Sequence, residues 1–173
     1  MAKNFSDPVF EEVEASSLLS YRCSPEITKR DFRGIVLNGP GEVYYEPGLP
    51  DPLSGSFAKI IVCGTYQFKY DTLGLNGNFV ESIVLVAVDV KSNQTYSGTM
   101  AMPYNKTVVP DAVESMGLQH QDFKDDVITK YFNPNLAEVL KLPEHEADYF
   151  IYATLGPYKS NVVRVGVRKR SSK

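Results

Sequence analysis

AKIIVCGTYQFKY, residues 58–70, is the stretch that decides the fold class of this chain. Its even-numbered positions, from Ala58 to Tyr70, are apolar or small, whereas its odd-numbered positions are mostly polar. Successive side chains of a β-strand point to opposite faces, so this period of two predicts one long strand with a buried face and a mostly polar face. Cys63 falls on the odd-numbered, outward face of that strand.

Two predicted hairpins extend this pattern. Residues 79–90 predict a second strand, and residues 95–102 return beside it as a third. Residues 147–155 and 162–168 alternate in the same way on either side of a Gly-Pro turn. Three shorter runs predict further strands at residues 35–37, 43–45 and 127–132. About seven short strands joined by turns predict a mainly β fold, an antiparallel β-sandwich with short helical segments.

The C-terminal hairpin carries a family resemblance. Residues 147–153 (ADYFIYA), a glycine turn and residues 160–165 (SNVVRV) resemble the last two strands of an immunoglobulin-like or fibronectin type III-like domain. The resemblance implies an immunoglobulin-like sandwich over residues 34–173, with Tyr149 as a corner residue whose hydroxyl bonds to upstream backbone. Ile151 stands where antibody domains have Cys, and the chain has no Trp. The implied domain is therefore a disulfide-free relative, with a cupredoxin-like or jelly-roll sandwich as the alternative.

Residues 1–33 differ from the rest and read as an N-terminal helical extension. Asp7 followed by Pro8 is a typical helix start, and three nearby glutamates suit the positive end of a helix. We therefore expect a short amphipathic helix as far as about Leu19, with one apolar face made of Phe10, Val13 and Leu18. The sequence leaves open whether this face packs on the domain or on a partner.

Composition is that of an ordinary globular domain: 173 residues, 18 basic and 21 acidic side chains, and 43% hydrophobic residues. The longest strongly apolar run, residues 83–88, is far too short to cross a bilayer. No apolar leader follows the first residues, so we expect a cytoplasmic protein unless a leader has been removed. Three formal N-glycosylation sequons begin at Asn4, Asn93 and Asn105, and without a leader we interpret them as chance polar loops.

Positive charge is concentrated at the end of the chain. Residues 154–173 carry six basic side chains and no acidic one, whereas residues 1–153 carry 12 basic and 21 acidic ones. We interpret this tail as a solvated terminus that guards the edge of the last strand, with an acidic partner or nucleic acid as the alternative. No aromatic residues alternate with the tail's charges, so we expect neither a nucleic-acid nor a membrane partner.

The sequence contains the residue types for one kind of nucleophilic catalysis, that of a cysteine hydrolase. Cys63 would act with His120 or His145, and Asp122 or Asp148 would orient the imidazole. However, Cys63 lies in the middle of a predicted strand, whereas reactive cysteines lie at turns or helix ends that lower the pKa of the thiol. We therefore interpret Cys63 as a structural thiol and predict no catalytic residue.

Metal binding has equally little support in the sequence. His120 and His145 each lie in a polar loop with acidic neighbours, but a metal site requires three or four converging ligands. A single histidine in each loop is typical of solvated polar segments. We therefore predict no metal site and no cofactor.

The outward aromatic residues of the C-terminal hairpin carry the functional hypothesis. Phe150 and Tyr152 point away from the predicted core, and Ile83 and Leu85 lie on a strand that is apolar on both faces. These four residues predict the binding surface of a non-catalytic protein-binding or assembly module. Self-association through this surface is one form that the binding can take. The alternative is that the N-terminal helix or residues 103–146 cover them. Two rival functions are a carbohydrate-binding sandwich with Tyr and Phe platforms and, less favoured, a small cysteine hydrolase.

Overall fold

The computed structural model describes residues 7–100 and 120–171. In these residues two β-sheets share a hydrophobic core, which confirms the predicted mainly β sandwich with short helical segments. The strands are β1 (Gly34–Asn38), β2 (Glu42–Tyr45), β3 (Cys63–Lys69), β4 (Val84–Asp89), β5 (Thr95–Thr99), β6 (Val127–Phe132), β7 (Ala147–Leu155), β8 (Tyr158–Lys159) and β9 (Val163–Lys169). The α-helices are α1 (Pro8–Glu11) and α2 (Leu136–Val139), and 3-10 helical turns occupy Thr72–Gly74, Val80–Ser82 and His120–Phe123.

The small sheet has the order β1-β3-β6 and is antiparallel throughout. Its central strand β3 is the strand predicted from residues 58–70, but regular pairing begins only at Cys63. Within β3, Gly64 lies opposite Phe132, whose ring occupies the space that a Cβ atom on residue 64 would need. Glycine at this position therefore lets the aromatic ring of the neighbouring strand lie directly against the backbone.

The large sheet has the order β2-β9-β7-β4-β5, and β8 pairs with β7. Both predicted hairpins are confirmed, since β4 pairs with β5 and β7 pairs with β9 in antiparallel fashion. The exception to the predicted antiparallel arrangement is β2, which arrives from the small sheet through a short turn at residues 39–41. It runs parallel to β9, with Glu42 opposite Gly166.

Phenylalanine and tyrosine fill the core of a chain that has no tryptophan. The ring of Phe79 lies 5.2 Å from that of Phe68 and 5.7 Å from that of Tyr66 (centroid distances). Such aromatic pairs add roughly 0.5–1.5 kcal/mol to the free energy gained by burying their surface. The large side chains that are fully buried include Tyr66, Tyr149, Phe68, Phe79, Phe132, Ile60, Leu136 and Ile151.

The structure does not leave Ile83 and Leu85 exposed to a partner, because both residues point inward. Both side chains are fully buried in the core shared by the two sheets. Register explains this, because Leu85 lies opposite Ala153, which is itself buried, and directly opposite residues share a face. The outward side chains of β4 are therefore the even-numbered ones, among them Val86.

The predicted N-terminal helix is much shorter in the structure. Asp7 caps α1 as expected, because its Oδ1 atom accepts a hydrogen bond from the backbone of Val9 (3.1 Å). The helix ends at Glu11 instead of near Leu19. The backbone N–H of Ser16 instead donates to the carbonyl of Asn133 (2.8 Å). Pairing with a distant part of the chain thus replaces the hydrogen bonds of a longer helix.

Candidate functional site

The two sheets present different outer faces, and the N-terminal segment covers one of them. We call residues 7–33 the strap. Its apolar side chains pack on the outer face of the small sheet in a cluster separate from the main core, made of Phe10, Val13, Cys23, Ile61 and Cys63. The sequence left open where the predicted apolar face would pack. The structure places its Phe10 and Val13 on the protein's own sheet, whereas its third member, Leu18, is 40% exposed.

Polar side chains of β3 hold the strap in place. Thr65 Oγ1 donates a hydrogen bond to the carbonyl of Pro25 (2.7 Å), and Gln67 Nε2 donates to the carbonyls of Lys29 and Phe32 (both 3.0 Å). Both polar side chains are buried. A buried irregular segment needs partners for its carbonyls, and here the outward face of a strand supplies the donors.

A disulfide joins the strap to the small sheet. Cys23 of the strap is bonded to Cys63 of β3, and both residues are buried. The prediction of a disulfide-free domain and of a structural thiol at residue 63 is therefore wrong. Cys63 does face outward, as the period of two indicated, but its partner comes from the strap instead of from the opposite sheet. Ile61, two residues earlier on the same face, is the apolar residue in the sequence that indicates a covered face.

The outer face of the large sheet carries an apolar row, which we call the valine–aromatic face: Val84, Val86, Val88, Phe150 and Tyr152. Register places these side chains side by side, with Val86 opposite Tyr152 and Val88 opposite Phe150. Phe150 is 42% exposed and is the most exposed member. Phe150 and Tyr152 thus lie together on an outer face, as predicted, and three valines join them in place of Ile83 and Leu85.

Tyr152 already has a cationic partner. The Nζ atom of Lys159 lies 4.1 Å from the centroid of its ring. Lys159 is on β8, opposite Thr154 of β7, so it shares the outer face with Tyr152. A cation within about 6 Å of a ring centroid is attracted by the π electrons. One side of this ring is therefore occupied, which leaves Phe150 as the more accessible aromatic surface.

Polar groups border the valine–aromatic face. On the β5 side, Thr95, Ser97 and Thr99 are exposed and lie opposite the three valines of β4. On the β9 side, Asp148 Oδ1 pairs with Arg168 Nη2 at 2.7 Å. That guanidinium lowers the pKa of Asp148, so the pair is ionised over the neutral pH range.

Tyr149 does not form the expected corner. Its side chain points from β7 into the core and is fully buried. Its hydroxyl has no hydrogen-bond partner in the part of the chain that the structure describes. Burial raises the pKa of Tyr149 to about 12, and nearby Tyr96 and Asp89 act in the same direction. The prediction that its hydroxyl bonds to upstream backbone is therefore wrong.

Cys63, His145 and Asp148, three of the residues considered for catalysis, each have another partner in the structure. Cys63 is bonded to Cys23, so no thiolate is present while the disulfide is intact. The ring of His145 contacts Asp89 (Nε2 to Oδ2, 3.4 Å), and Asp148 pairs with Arg168. The side chain of His120 lies outside the described residues.

Asp89 organises the β4–β5 turn. Its Oδ1 atom accepts hydrogen bonds from the backbone of Lys91 (2.8 Å) and Ser92 (3.1 Å). Burial alone would raise the pKa of Asp89, but these bonds and the contact with His145 hold it below its ordinary value. The carboxylate is therefore engaged in the turn and is not a free ligand.

Within residues 7–100 and 120–171, no group of three or more His, Cys, Asp or Glu residues is arranged to hold a metal ion. No helix in the same ranges is long and apolar enough to cross a membrane.

The basic C-terminal residues fold back onto carboxylates. Arg170 Nη1 lies 3.1 Å from Glu46 Oε1, and Arg168 Nε lies 3.5 Å from Glu42 Oε1. Part of the positive charge of residues 154–173 is thus matched by acidic side chains around β2.

Comparisons with known proteins identify no relative: no family model, no curated protein and no solved structure matches this chain.

Proposed function

We propose that this chain is a non-catalytic protein-binding or assembly module that binds through the valine–aromatic face. The supporting observation is that Phe150, 42% exposed, lies in a continuous apolar row on two adjacent central strands. An exposed aromatic residue at the end of an apolar row is typical of protein interfaces, in which aromatic side chains are enriched. Val86 is itself buried and the other valines and Tyr152 are partly buried, so Phe150 carries most of the apolar surface whose burial by a partner would be favourable.

The border of the face supports a protein partner. Protein interfaces combine an apolar centre with a polar rim, and the hydroxyl row of β5 and the ion pair of Asp148 and Arg168 flank the apolar row on its two sides. The rim carries both signs of charge, since Arg164 and Asp148 lie together on it (3.4 Å). Asp148 of one copy could pair with a cation of the other, so a second copy of this chain is the first partner to test.

Sedimentation velocity over a wide concentration range, together with light scattering, tests this proposal. We expect the wild type to dimerise and Phe150→Arg to weaken the dimer at least about tenfold, because the variant buries an unpaired charge. Val127→Arg is the matched control, since Val127 is a strand residue of the small sheet that is 43% exposed. A wild type that stays monomeric at high concentration contradicts self-association, and equal weakening by both variants contradicts the assignment of the face.

The rival function is carbohydrate binding by stacking on aromatic rings. Lys159 occupies one side of the Tyr152 ring and the chain has no Trp, so Phe150 is the most accessible ring of the valine–aromatic face. Polar sugars also need several hydrogen-bonding side chains around the ring, whereas the nearest neighbours of Phe150 on β4 are valines. A glycan array probed with wild type and Phe150→Ala decides this: binding that is lost in the variant would favour the rival.

A further inference from the structure

We propose that Asn93 is an N-glycosylation site and that the folded protein belongs to an oxidising, secretory environment. The proposal does not depend on the function of the valine–aromatic face. It joins two separate features of the structure: the sequon at residues 93–95 and the buried disulfide between Cys23 and Cys63.

The disulfide favours a compartment in which N-glycosylation sequons are used. Disulfides persist in secreted and extracellular proteins, whereas cytosolic reductants keep thiols reduced. Cys23 and Cys63 are the only cysteines of the chain and both are buried, so neither is placed for transient redox chemistry at the surface. A structural disulfide therefore favours the oxidising compartment over the cytoplasm, and N-glycans are added in that compartment. Asn4 and Asn105 lie outside the described residues, which leaves Asn93 as the sequon that can be placed.

Asn93 occupies the position that an acceptor requires. It lies in the turn between β4 and β5, and the three residues of its sequon, Asn93, Gln94 and Thr95, are exposed. N-linked sequons are used in surface loops of secreted proteins when the middle residue is not Pro. A large polar substituent at this tip meets no packed surface of the described chain.

The turn does not depend on the Asn93 side chain. The backbone N–H of Asn93 donates to the carbonyl of Asp89 (2.8 Å), and the Asp89 carboxylate accepts from the backbone N–H groups of Lys91 and Ser92. Asn93 has a left-handed φ of 58°, which asparagine adopts readily. Among the described residues its amide makes no hydrogen bond, so modification would break none.

Glycosylation of Asn93 needs one co-reactant, which is the lipid-linked oligosaccharide donor. The amide nitrogen of Asn93 forms a bond to the anomeric carbon of an oligosaccharide carried on a lipid pyrophosphate. The bond between that carbon and the phosphate oxygen breaks, the lipid pyrophosphate leaves, and the amide gives up one proton. The glycan would then stand beside β5, the last strand of the large sheet, and bulky polar groups at sheet edges oppose pairing with other chains.

The test expresses the full chain behind a cleavable secretion signal in glycosylating eukaryotic cells. Enzymatic release of N-glycans in ¹⁸O-water converts each occupied Asn to ¹⁸O-labelled Asp, which peptide mass spectrometry locates. We expect the label at residue 93 in wild type and in Thr95→Ser, and its loss in Thr95→Ala, because the sequon requires a hydroxyl at its third position. Asn4 and Asn105 are scored on their own peptides, so their occupancy does not count for Asn93.

Two results would overturn the proposal. One is a secreted chain with an intact disulfide whose Asn93 carries no label. The other is a secreted chain whose Cys23 and Cys63 both react with a thiol-alkylating reagent after denaturation without reductant, since the compartment argument then has no basis. Wild type alone answers both questions, so a variant that fails to fold does not affect the result.

Discussion

The outer faces of the two sheets differ in a way that runs against simple expectation. On the small sheet the polar side chains of Thr65 and Gln67 are buried under the strap, whereas on the large sheet the apolar side chain of Phe150 is exposed. The reason is that the strap is mostly irregular backbone, whose carbonyls need hydrogen-bond donors when they are buried. A polar strand face therefore suits a covering segment of the same chain, because it supplies the donors that the segment's carbonyls need.

The largest expected effect breaks the covered face. The disulfide closes a loop between two residues 40 positions apart, which corresponds to about 4 kcal/mol of unfolded-state entropy. We expect the double variant Cys23→Ala/Cys63→Ala to unfold with a free energy lower by about 2–4 kcal/mol in urea titrations. Reduced wild type serves as the control and should lose a similar amount. A double variant as stable as oxidised wild type would show that the bond does not hold the strap.

A second variant tests the donors beneath the strap. Gln67→Met keeps the size of the side chain but removes the hydrogen bonds that Gln67 Nε2 donates to the carbonyls of Lys29 and Phe32, together with the one that Gln67 Oε1 accepts from Thr129. We expect a loss of about 1–3 kcal/mol in the free energy of unfolding, and faster trypsin cleavage after Lys29. Lys69→Met is the matched control on the same strand, because Lys69 forms only an exposed ion pair with Asp125. It should change stability by less than about 0.5 kcal/mol.

Periodicity in the sequence predicted one of these faces better than the other. Alternation over residues 58–70 correctly separates the inward Tyr66 and Phe68 from the outward Thr65, because only one face of that strand is apolar. The strap could not be predicted, since its disulfide and hydrogen bonds join residues far apart in sequence and follow no period.

The candidate site shows where alternation stops being informative. Phe150 and Tyr152 could be placed on an outer face because their strand neighbours Tyr149 and Ile151 are inward, and the structure confirms that arrangement. The prediction for Leu85 is wrong because both faces of β4 are apolar. The sequence of β4 alone therefore does not show which of its positions face the core. Only register with β7 decides which side chains of β4 face the core.

A third prediction concerns the buried but unpaired hydroxyl of Tyr149. Tyr149→Phe removes a polar atom that has no partner among the described residues, so we expect stability at neutral pH to stay equal or rise by up to about 1 kcal/mol. The folded-state pKa of Tyr149 is about 12, above its ordinary value of 10.0, so wild type loses stability as pH rises from 10 towards 12. Urea titrations across this range should show a smaller alkaline loss in the variant. Tyr66, whose pKa burial raises to about 12, and Tyr45, whose pKa burial also raises, contribute to the remaining loss.

The smallest expected change in stability tests the difference between the two outer faces most directly. Phe150→Thr replaces an exposed aromatic residue by a good strand former, so we expect the free energy of unfolding of the monomer to change by less than about 1 kcal/mol. It should cost less than Gln67→Met, although it removes an apolar side chain and the other variant removes a polar one. Urea titrations at concentrations where the wild type is monomeric measure both. If Phe150→Thr costs more, the aromatic ring is part of the monomer's own packing, and the valine–aromatic face is not a binding surface.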